Sequence, residues 1–110
     1  MHELSLTRNL LEIVLKHAGA RRILHVNLLI GEFSHEREEA IRFYWDHLAK
    51  GTPAEHAALN FRRVEAEMKC LDCETVFHPE GEAVFCPRCQ SQRLKWMRGD
   101  AVRLESIDVE

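Results

Sequence analysis

The chain has 110 residues, of which 45% are apolar and 30% charged, the composition of one globular domain or of one domain with a small appendage. Fifteen Lys and Arg against 18 Asp and Glu give a formal net charge of −3, so the basic excess of a nucleic-acid binder is missing. No apolar run could span a bilayer, and the N-terminus lacks the features of a signal peptide. We therefore expect a cytoplasmic protein with no membrane partner.

The first element is predicted to be an amphipathic helix over residues 4–18. Arg8, Glu12 and Lys16 follow its polar side at intervals of four, which allows charge pairing along the helix. Gly19 is expected to cap its C-terminus. The predicted inner face comprises Leu6, Leu10, Ile13, Val14, His17 and Ala18.

Residues 22–31 alternate with a period of two, which predicts a strand whose apolar face consists of Leu24, Val26, Leu28 and Ile30. A second helix is predicted to begin after Ser34, an N-cap, and to end near residues 50–51. Its broad apolar stripe suits the covering of a sheet. This stripe, in which both aromatic residues are assigned to the core, comprises Ala40, Ile41, Tyr44, Trp45, Leu48 and Ala49.

Two further strands are predicted, over residues 58–69 and over the segment from Val102 to Val109. The apolar alternation changes phase within each of them, which indicates a bulge, near Arg62 and Arg63 in the first case. A strand–helix–strand crossover makes the first two strands parallel, and the last should return antiparallel. The predicted fold class is α+β: a small domain of two helices and a three-stranded mixed sheet, residues 1–68 and 99–110, with an inserted four-cysteine zinc ribbon, residues 69–98.

The strongest chemical signal is a pair of Cys-x-x-Cys motifs, Cys70 with Cys73 and Cys86 with Cys89. In a reducing compartment this spacing indicates a metal site rather than two disulfides. About thirty residues cannot bury enough apolar surface to fold alone, so the segment needs a metal. Four thiolates close a tetrahedron around zinc, which makes the site structural. Iron has the same ligands in rubredoxin-like sites, and zinc is preferred here.

Other interpretations are weaker. A zinc ribbon that binds nucleic acid would use basic and aromatic side chains, here Arg88, Arg93, Lys95, Trp96 and Arg98. Four acidic residues cancel that charge: Asp72, Glu74, Glu80 and Glu82. His78 could in principle replace a thiolate, but it is expected either to be solvated or to lie beside the metal ligands without binding the ion. An enzyme is not predicted, because the chain has no phosphate loop, nucleophile elbow or His-Glu-x-x-His motif.

The N-terminus offers a second set of metal donors. The amine of Met1, the amide nitrogen and imidazole of His2, and the amide nitrogen of Glu3 can surround one ion in a plane. Square-planar nitrogen donors suit Ni(II) or Cu(II), whereas zinc prefers a tetrahedron.

These features together resemble the HypA/HybF family of hydrogenase nickel-insertion proteins. Besides the four cysteines, the segments that carry the resemblance are Met1-His2-Glu3-Leu4-Ser5-Leu6, Gly31-Glu32-Phe33-Ser34, Gly51-Thr52-Pro53-Ala54-Glu55 and Ser106-Ile107-Asp108-Val109-Glu110. The resemblance implies a metallochaperone that carries Ni(II) for [NiFe] hydrogenase maturation. It also implies Met1, His2 and Glu3 as the nickel ligands, with His2 the required side chain, and structural Zn(II) at the cysteines.

Partners implied by the resemblance are the GTPase HypB and the hydrogenase large subunit, while the choice between monomer and homodimer stays open. The chain departs from the family pattern at two places. His56 occupies a position where many members have glycine, and no histidine directly flanks either cysteine motif. A change of zinc ligands with pH, which occurs in some members, is therefore not expected here.

Overall fold

A computed structural model describes residues 2–80 and 85–110. The described elements are α1 His2–Ala18, β1 Ile23–Gly31, α2 Glu38–Leu48, β2 Ala58–Val64, β3 Glu67–Cys70, β4 Val76–Phe77, β5 Leu94–Arg98 and β6 Val102–Val109. Neither described helix combines the length and the apolar character that a bilayer crossing requires.

A first sheet has the strand order β2-β1-β6, in which β1 is parallel to β2 and antiparallel to β6. This confirms the predicted mixed sheet of three strands. Both helices pack on it through one apolar cluster, so the sheet has a continuous core. The buried residues of this core are Leu10, Leu11, Val14, Ala18, Ile23, Val26, Leu28, Ile30, Ile41, Trp45, Ala49, Ala54, Leu59 and Val102.

Three residues assigned to the apolar faces are exposed: Leu24 in β1, and Ile13 and His17 in α1. Leu24 is 37% exposed, whereas Ile23 is buried at 1%. The pairing register of β1 with β6 shifts between Ile23 and His25, and this irregularity reverses the alternation at the start of the strand. In α1, Leu11 is buried and Ile13 is 44% exposed, so the buried stripe is rotated relative to the prediction. Gly19 caps this helix as expected, with φ +64° and its N–H donating to the Leu15 carbonyl at 3.1 Å.

The second helix begins later than predicted. Arg37 is its N-cap residue, and no side chain caps it. Ser34 instead closes a turn, because its hydroxyl oxygen accepts the N–H of Glu36 at 3.2 Å. A serine hydroxyl can satisfy a nearby amide outside a helix as readily as at its start.

The predicted strand over residues 58–69 is two strands in two sheets. Pairing of β2 with β1 continues without a shift to Val64, so no bulge occurs at Arg62 or Arg63. The chain then passes into β3 of a second, antiparallel sheet with the order β4-β3-β5. The phase change in the sequence marks this change of sheet. In β6, by contrast, the predicted bulge is confirmed, because the register moves from Asn27 opposite Ser106 to Leu28 opposite Leu104.

The two sheets meet at a tight backbone contact. A Cβ atom on Gly31 would lie 2.3 Å from the carbonyl carbon of Gly99, and one on Gly99, at φ +86°, would lie 2.4 Å from the Cα of Ala66. The N–H of Phe33 donates to the Gly99 carbonyl at 2.9 Å. Only residues without a Cβ allow this approach.

Candidate metal centres

The first cysteine pair lies in a turn at the end of β3. The N–H of Cys73 donates to the Cys70 sulfur at 3.4 Å, and the N–H of Glu74 donates to the Cys70 carbonyl at 2.9 Å. The N–H of Cys70 donates to the Thr75 carbonyl, also at 2.9 Å. Glu74 takes a left-handed conformation with φ 64°, which closes the turn.

The second pair repeats this geometry. The N–H of Cys89 donates to the Cys86 sulfur at 3.5 Å, and the N–H of Gln90 donates to the Cys86 carbonyl at 2.8 Å. The N–H of Cys86 donates to the Ser91 carbonyl at 2.9 Å, and Gln90 has φ 62°. Two equivalent turns therefore present two sulfurs each toward one point.

The four sulfurs gather into one cluster. All four Sγ atoms lie within 4.8 Å of one another, and Cys70–Cys89 and Cys73–Cys86 are each separated by 3.5 Å. A tetrahedral zinc with bonds of about 2.3 Å has sulfur–sulfur edges of about 3.8 Å, so the donor set fits that ion closely. Among the described residues this is the only group of three or more metal-binding side chains that converge in this way.

The thiols hold their protons unequally. The Thr75 hydroxyl, which contacts the Cys73 sulfur at 3.1 Å, lowers the pKa of Cys73 to about 6. A backbone bond from Ser91 lowers the pKa of Cys89, but the interaction with Cys70, desolvation, and the interactions with Cys73 and Cys86 together outweigh this and raise the pKa to about 12. Binding of a divalent cation must therefore release protons from this cluster, because zinc coordinates thiolates.

Two basic side chains of the second region form ion pairs with acidic ones, whereas Arg88 and Lys95 form none with the described residues. Arg93 bonds Asp72 at 2.7 Å, and Arg98 contacts Glu67 at 3.2 Å. These pairs reduce the positive potential that a nucleic-acid phosphate would need, so the geometry does not favour a nucleic-acid interface.

A link between the two sheets was missed in the sequence. Glu32, directly after β1, accepts the backbone N–H of Ala66 at 2.9 Å and the Nε2–H of His78 at 2.8 Å. His78 is therefore held by a carboxylate of the first sheet and is not gathered with the cysteines. The only sign of this link in the sequence is a charged residue, Glu32, at the end of an apolar strand.

The N-terminal candidates lie in the first turn of α1. His2 is exposed, Glu3 is half-buried, and Met1 lies outside the described residues. The first four N–H groups of a helix have no acceptor within it. The amides of His2 and Glu3 are thus not used by the helix.

A comparison with known protein families shows which family this chain belongs to. A family model described as "Hydrogenase/urease nickel incorporation, metallochaperone, hypA" matches residues 1–109. The chain belongs to the HypA family. The family resemblance noted in the sequence is thereby confirmed.

Relatives within the HypA family match over the full length. A hydrogenase maturation factor HypA from Geobacter sulfurreducens is 39% identical over 110 residues, covering 100% of both chains. Another, from Dehalococcoides mccartyi, is 36% identical over 113 residues, covering 100% of this chain and 95% of the other. The solution structure of the Ni metallochaperone HypA from Helicobacter pylori superposes with a TM-score of 0.81 at 25% identity, covering 97% of this chain and 96% of that one. The predicted α+β fold with its four-cysteine ribbon is therefore that of HypA proteins.

Proposed function

We propose that this chain is a non-catalytic carrier of Ni(II) for the maturation of [NiFe] hydrogenase. Its partners would be the GTPase HypB and the hydrogenase large subunit, which would take the ion by ligand exchange. The proposed nickel ligands are Met1, His2 and Glu3, and the proposed structural zinc ligands are Cys70, Cys73, Cys86 and Cys89. The match of the whole chain to a nickel-incorporation family is the observation that carries this proposal.

The position of His2 supports a nickel site at the chain end. Its side chain is exposed at the start of α1, and its amide and that of Glu3 have no acceptor within the helix. These amides can lose their protons to a metal without breaking a helical hydrogen bond. The resulting anionic nitrogens also lie at the positive end of the helix dipole, where negative charge is favoured.

The cysteine cluster supports a structural role for the second ion. Cys70 and Cys86 are fully buried, and the four sulfurs supply every ligand of a tetrahedral site. Such a site has no open position at which water or substrate could be activated. Zinc bound there would stabilise the second sheet and would not exchange with the carried ion.

A nickel titration of untagged protein tests the proposal. Zinc-loaded chain should bind one further Ni(II), measured by calorimetry and by metal analysis after gel filtration. His2→Ala, and separately one extra residue before Met1, should each remove this nickel and leave the zinc content unchanged. His56→Ala is the matched control, because His56 is an exposed histidine remote in sequence from the N-terminus.

Transfer provides the functional readout. Nickel-loaded wild type should supply nickel to hydrogenase large subunit in a mixture with HypB, and the His2→Ala protein should not. Unchanged nickel affinity in both N-terminal variants would refute the proposed site.

A further inference from the structure

A small groove lies on the face of the first sheet that the helices leave uncovered, at the end where the second sheet begins. Its volume is about 190 Å³. The lining includes three arginines from three different strands, Arg62 of β2, Arg98 of β5 and Arg103 of β6. None of the described lining residues is acidic. Three positive charges therefore border one small space.

The strand register places two of these arginines on either side of one apolar residue. Leu29 of β1 lies opposite Arg62 in β2 and opposite Arg103 in β6. Residues directly opposite each other in paired strands share a face of the sheet. Because neighbouring strands lie about 4.8 Å apart, the Cα atoms of Arg62 and Arg103 are about 10 Å apart with Leu29 between them. This face is the one opposite to Leu28 and Ile30, which belong to the core.

The glycine contact between the sheets closes one end of the groove. Gly31, two residues after Leu29, belongs to the same face. A Cβ atom on Gly31 would lie 2.3 Å from the carbonyl carbon of Gly99, so the chain at Gly99 crosses over the end of this face. This crossing brings the preceding residue, Arg98, to the groove. Val64, which lies opposite Gly31 in β2, completes an apolar floor together with Leu29.

The three guanidinium groups differ in their present partners. Arg62 donates to Glu105 at 2.6 Å, and Arg98 contacts Glu67 at 3.2 Å. Arg103 is exposed and forms no ion pair or side-chain hydrogen bond with any residue that the structure describes. A guanidinium group carries several N–H donors in a planar fork, so the two paired arginines also keep free donors. The groove can thus bind an added carboxylate without breaking an internal ion pair.

Size and charge favour a carboxylate side chain as the occupant. Pockets for small molecules and cofactors usually have volumes of about 300–1,000 Å³, so a groove of this size suits one side chain of a peptide. Guanidinium groups bind carboxylates through paired N–H···O bonds. The apolar floor of Leu29 and Val64 suits an aliphatic side chain beside the acidic one. A nucleic-acid backbone would instead require a row of phosphate contacts, for which this groove is too short.

We propose that this groove docks an acidic segment of a partner protein, with a carboxylate bound by Arg103 and its two arginine neighbours. The choice of partner, HypB or the hydrogenase large subunit, rests on the proposed function. None of the residues proposed as nickel or zinc ligands lines the groove. Docking there would hold the partner against the chain and leave the metal ligands free for exchange.

Binding to short overlapping peptides that cover the sequences of HypB and the large subunit tests the proposal. Zinc-loaded wild type should bind at least one acidic peptide, and the affinity should fall as the salt concentration rises, because the arginines are solvent-exposed. Arg103→Ala should bind this peptide about tenfold to a hundredfold more weakly, the range for one hydrogen bond to a charged group. Arg103→Glu should abolish binding, and so should replacement of the peptide carboxylates by amides.

Arg8→Glu is the matched control. It makes the same change in net charge at an exposed position of α1, which packs on the other face of the sheet. This variant should bind the peptide like wild type, and unchanged zinc content and thermal midpoint show that the Arg103 variants are folded. If no acidic peptide distinguishes wild type from Arg103→Ala, or if Arg8→Glu weakens binding equally, the groove is not a docking site. Displacement of the peptide by inorganic phosphate at constant ionic strength would indicate a simple anion site and would also overturn the proposal.

Nickel titration separates this inference from the proposed function. Arg103→Glu should bind Ni(II) like wild type, because Arg103 is not among the proposed ligands. If the nickel experiments succeed and no peptide depends on Arg103, the groove proposal is wrong and the carrier function stands. If nickel binding fails while an acidic peptide still depends on Arg103, the docking site stands and the carrier function is wrong.

Discussion

The sheet of β1, β2 and β6 packs on two helices through a core with fourteen buried residues, whereas the sheet of β3, β4 and β5 has no described helix on either face. In the second sheet and its turns Met68 is buried, but other large apolar side chains remain substantially exposed, among them Leu71, Val76 and Met97 at 48 to 50%. Burial of apolar surface stabilises a fold by about 25 cal/mol per Å². The first sheet therefore receives most of this stabilisation.

One chain thus uses two sources of stability. The first region is stabilised by removal of apolar surface from water. In the second, we expect an ion shared by the two cysteine turns to take the place of a core, so that folding and metal binding would be one equilibrium there. The radius of gyration, 17.0 Å against about 13 Å for a compact domain of 100 residues, agrees with two bodies placed side by side.

The largest expected effect is loss of the metal. Removal of zinc by a chelator, or Cys73→Ser, should unfold the second sheet, because structural zinc contributes about 10–16 kcal/mol in comparable small domains. The chain has one tryptophan in each region, Trp45 in the core and Trp96 in β5. In NMR spectra the Trp96 indole signal should collapse to an unfolded position while the Trp45 signal stays dispersed. Equal loss of both signals would mean that the regions do not fold separately.

The opposite test weakens the first sheet by creating a cavity in its core. Ile41→Ala removes a side chain with no exposure and should destabilise the first sheet by about 2–5 kcal/mol. Urea denaturation followed at the Trp45 signal should show the loss, and zinc content in native buffer should be unchanged. Release of zinc by this variant under native conditions would mean that the two sheets do not depend on separate sources of stability.

The contact between the sheets is the next test. Gly31→Ala would place a methyl group 2.3 Å from the Gly99 backbone and should cost about 3 kcal/mol. Gly19→Ala is the control, because a Cβ there meets nothing within 4 Å and only the φ of +64° is unfavourable, at about 1 kcal/mol. Thermal denaturation of both variants would rank them, and the reverse order would rule out a rigid contact at Gly31.

A smaller effect, here an increase in stability, is expected from replacing a turn residue that has a left-handed backbone conformation. Glu74→Gly should stabilise the second sheet by about 1 kcal/mol, because a side chain in the left-handed region carries that penalty. Arg88→Gly, at a position without positive φ, should instead weaken the sheet by about 0.5–1 kcal/mol. Competition for zinc with a chelator dye measures both, and equal effects would refute the conformational explanation.

The smallest effect concerns pH. The Glu32 carboxylate bonded to His78 raises the pKa of His78 above its ordinary 6.5, and Glu80 and Glu65 act in the same direction. The Ala66 amide, followed by His78, lowers the pKa of Glu32 below 4.5. The Glu32 contribution is present above pH 4.5, and the His78 contribution is present below pH 6.5 and is lost as pH rises through the raised pKa.

The two pKa shifts predict that the Glu32–His78 pair stabilises the fold most between pH 4.5 and 6.5. The difference in urea midpoint between wild type and His78→Gln should therefore be greatest near pH 5.5 and shrink toward pH 8. His56→Gln serves as the control. A difference that stays constant with pH would mean that the pair contributes no charge interaction.

Much of the fold follows from sequence periodicity, and the errors have physical causes. Alternation reports which side of a strand is buried, but it does not report which sheet the strand joins, so a change of sheet after Val64 gives the same sequence pattern as a bulge. A true irregularity at Ile23 left no sequence signal, since Ile23 and Leu24 are equally apolar. The cysteine cluster was predictable because four thiols at this spacing have few other uses.

The outer strands of the first sheet, β2 and β6, continue into β3 and β5, which are neighbours in the second. An ion bound by the four cysteines would therefore also shorten the effective loop separating β2 from β6. Each halving of such a loop lowers the entropy cost of closure by about 0.6 kcal/mol. A bound metal would thus act as a distant crosslink that favours the pairing of β6 with β1 without contacting either strand.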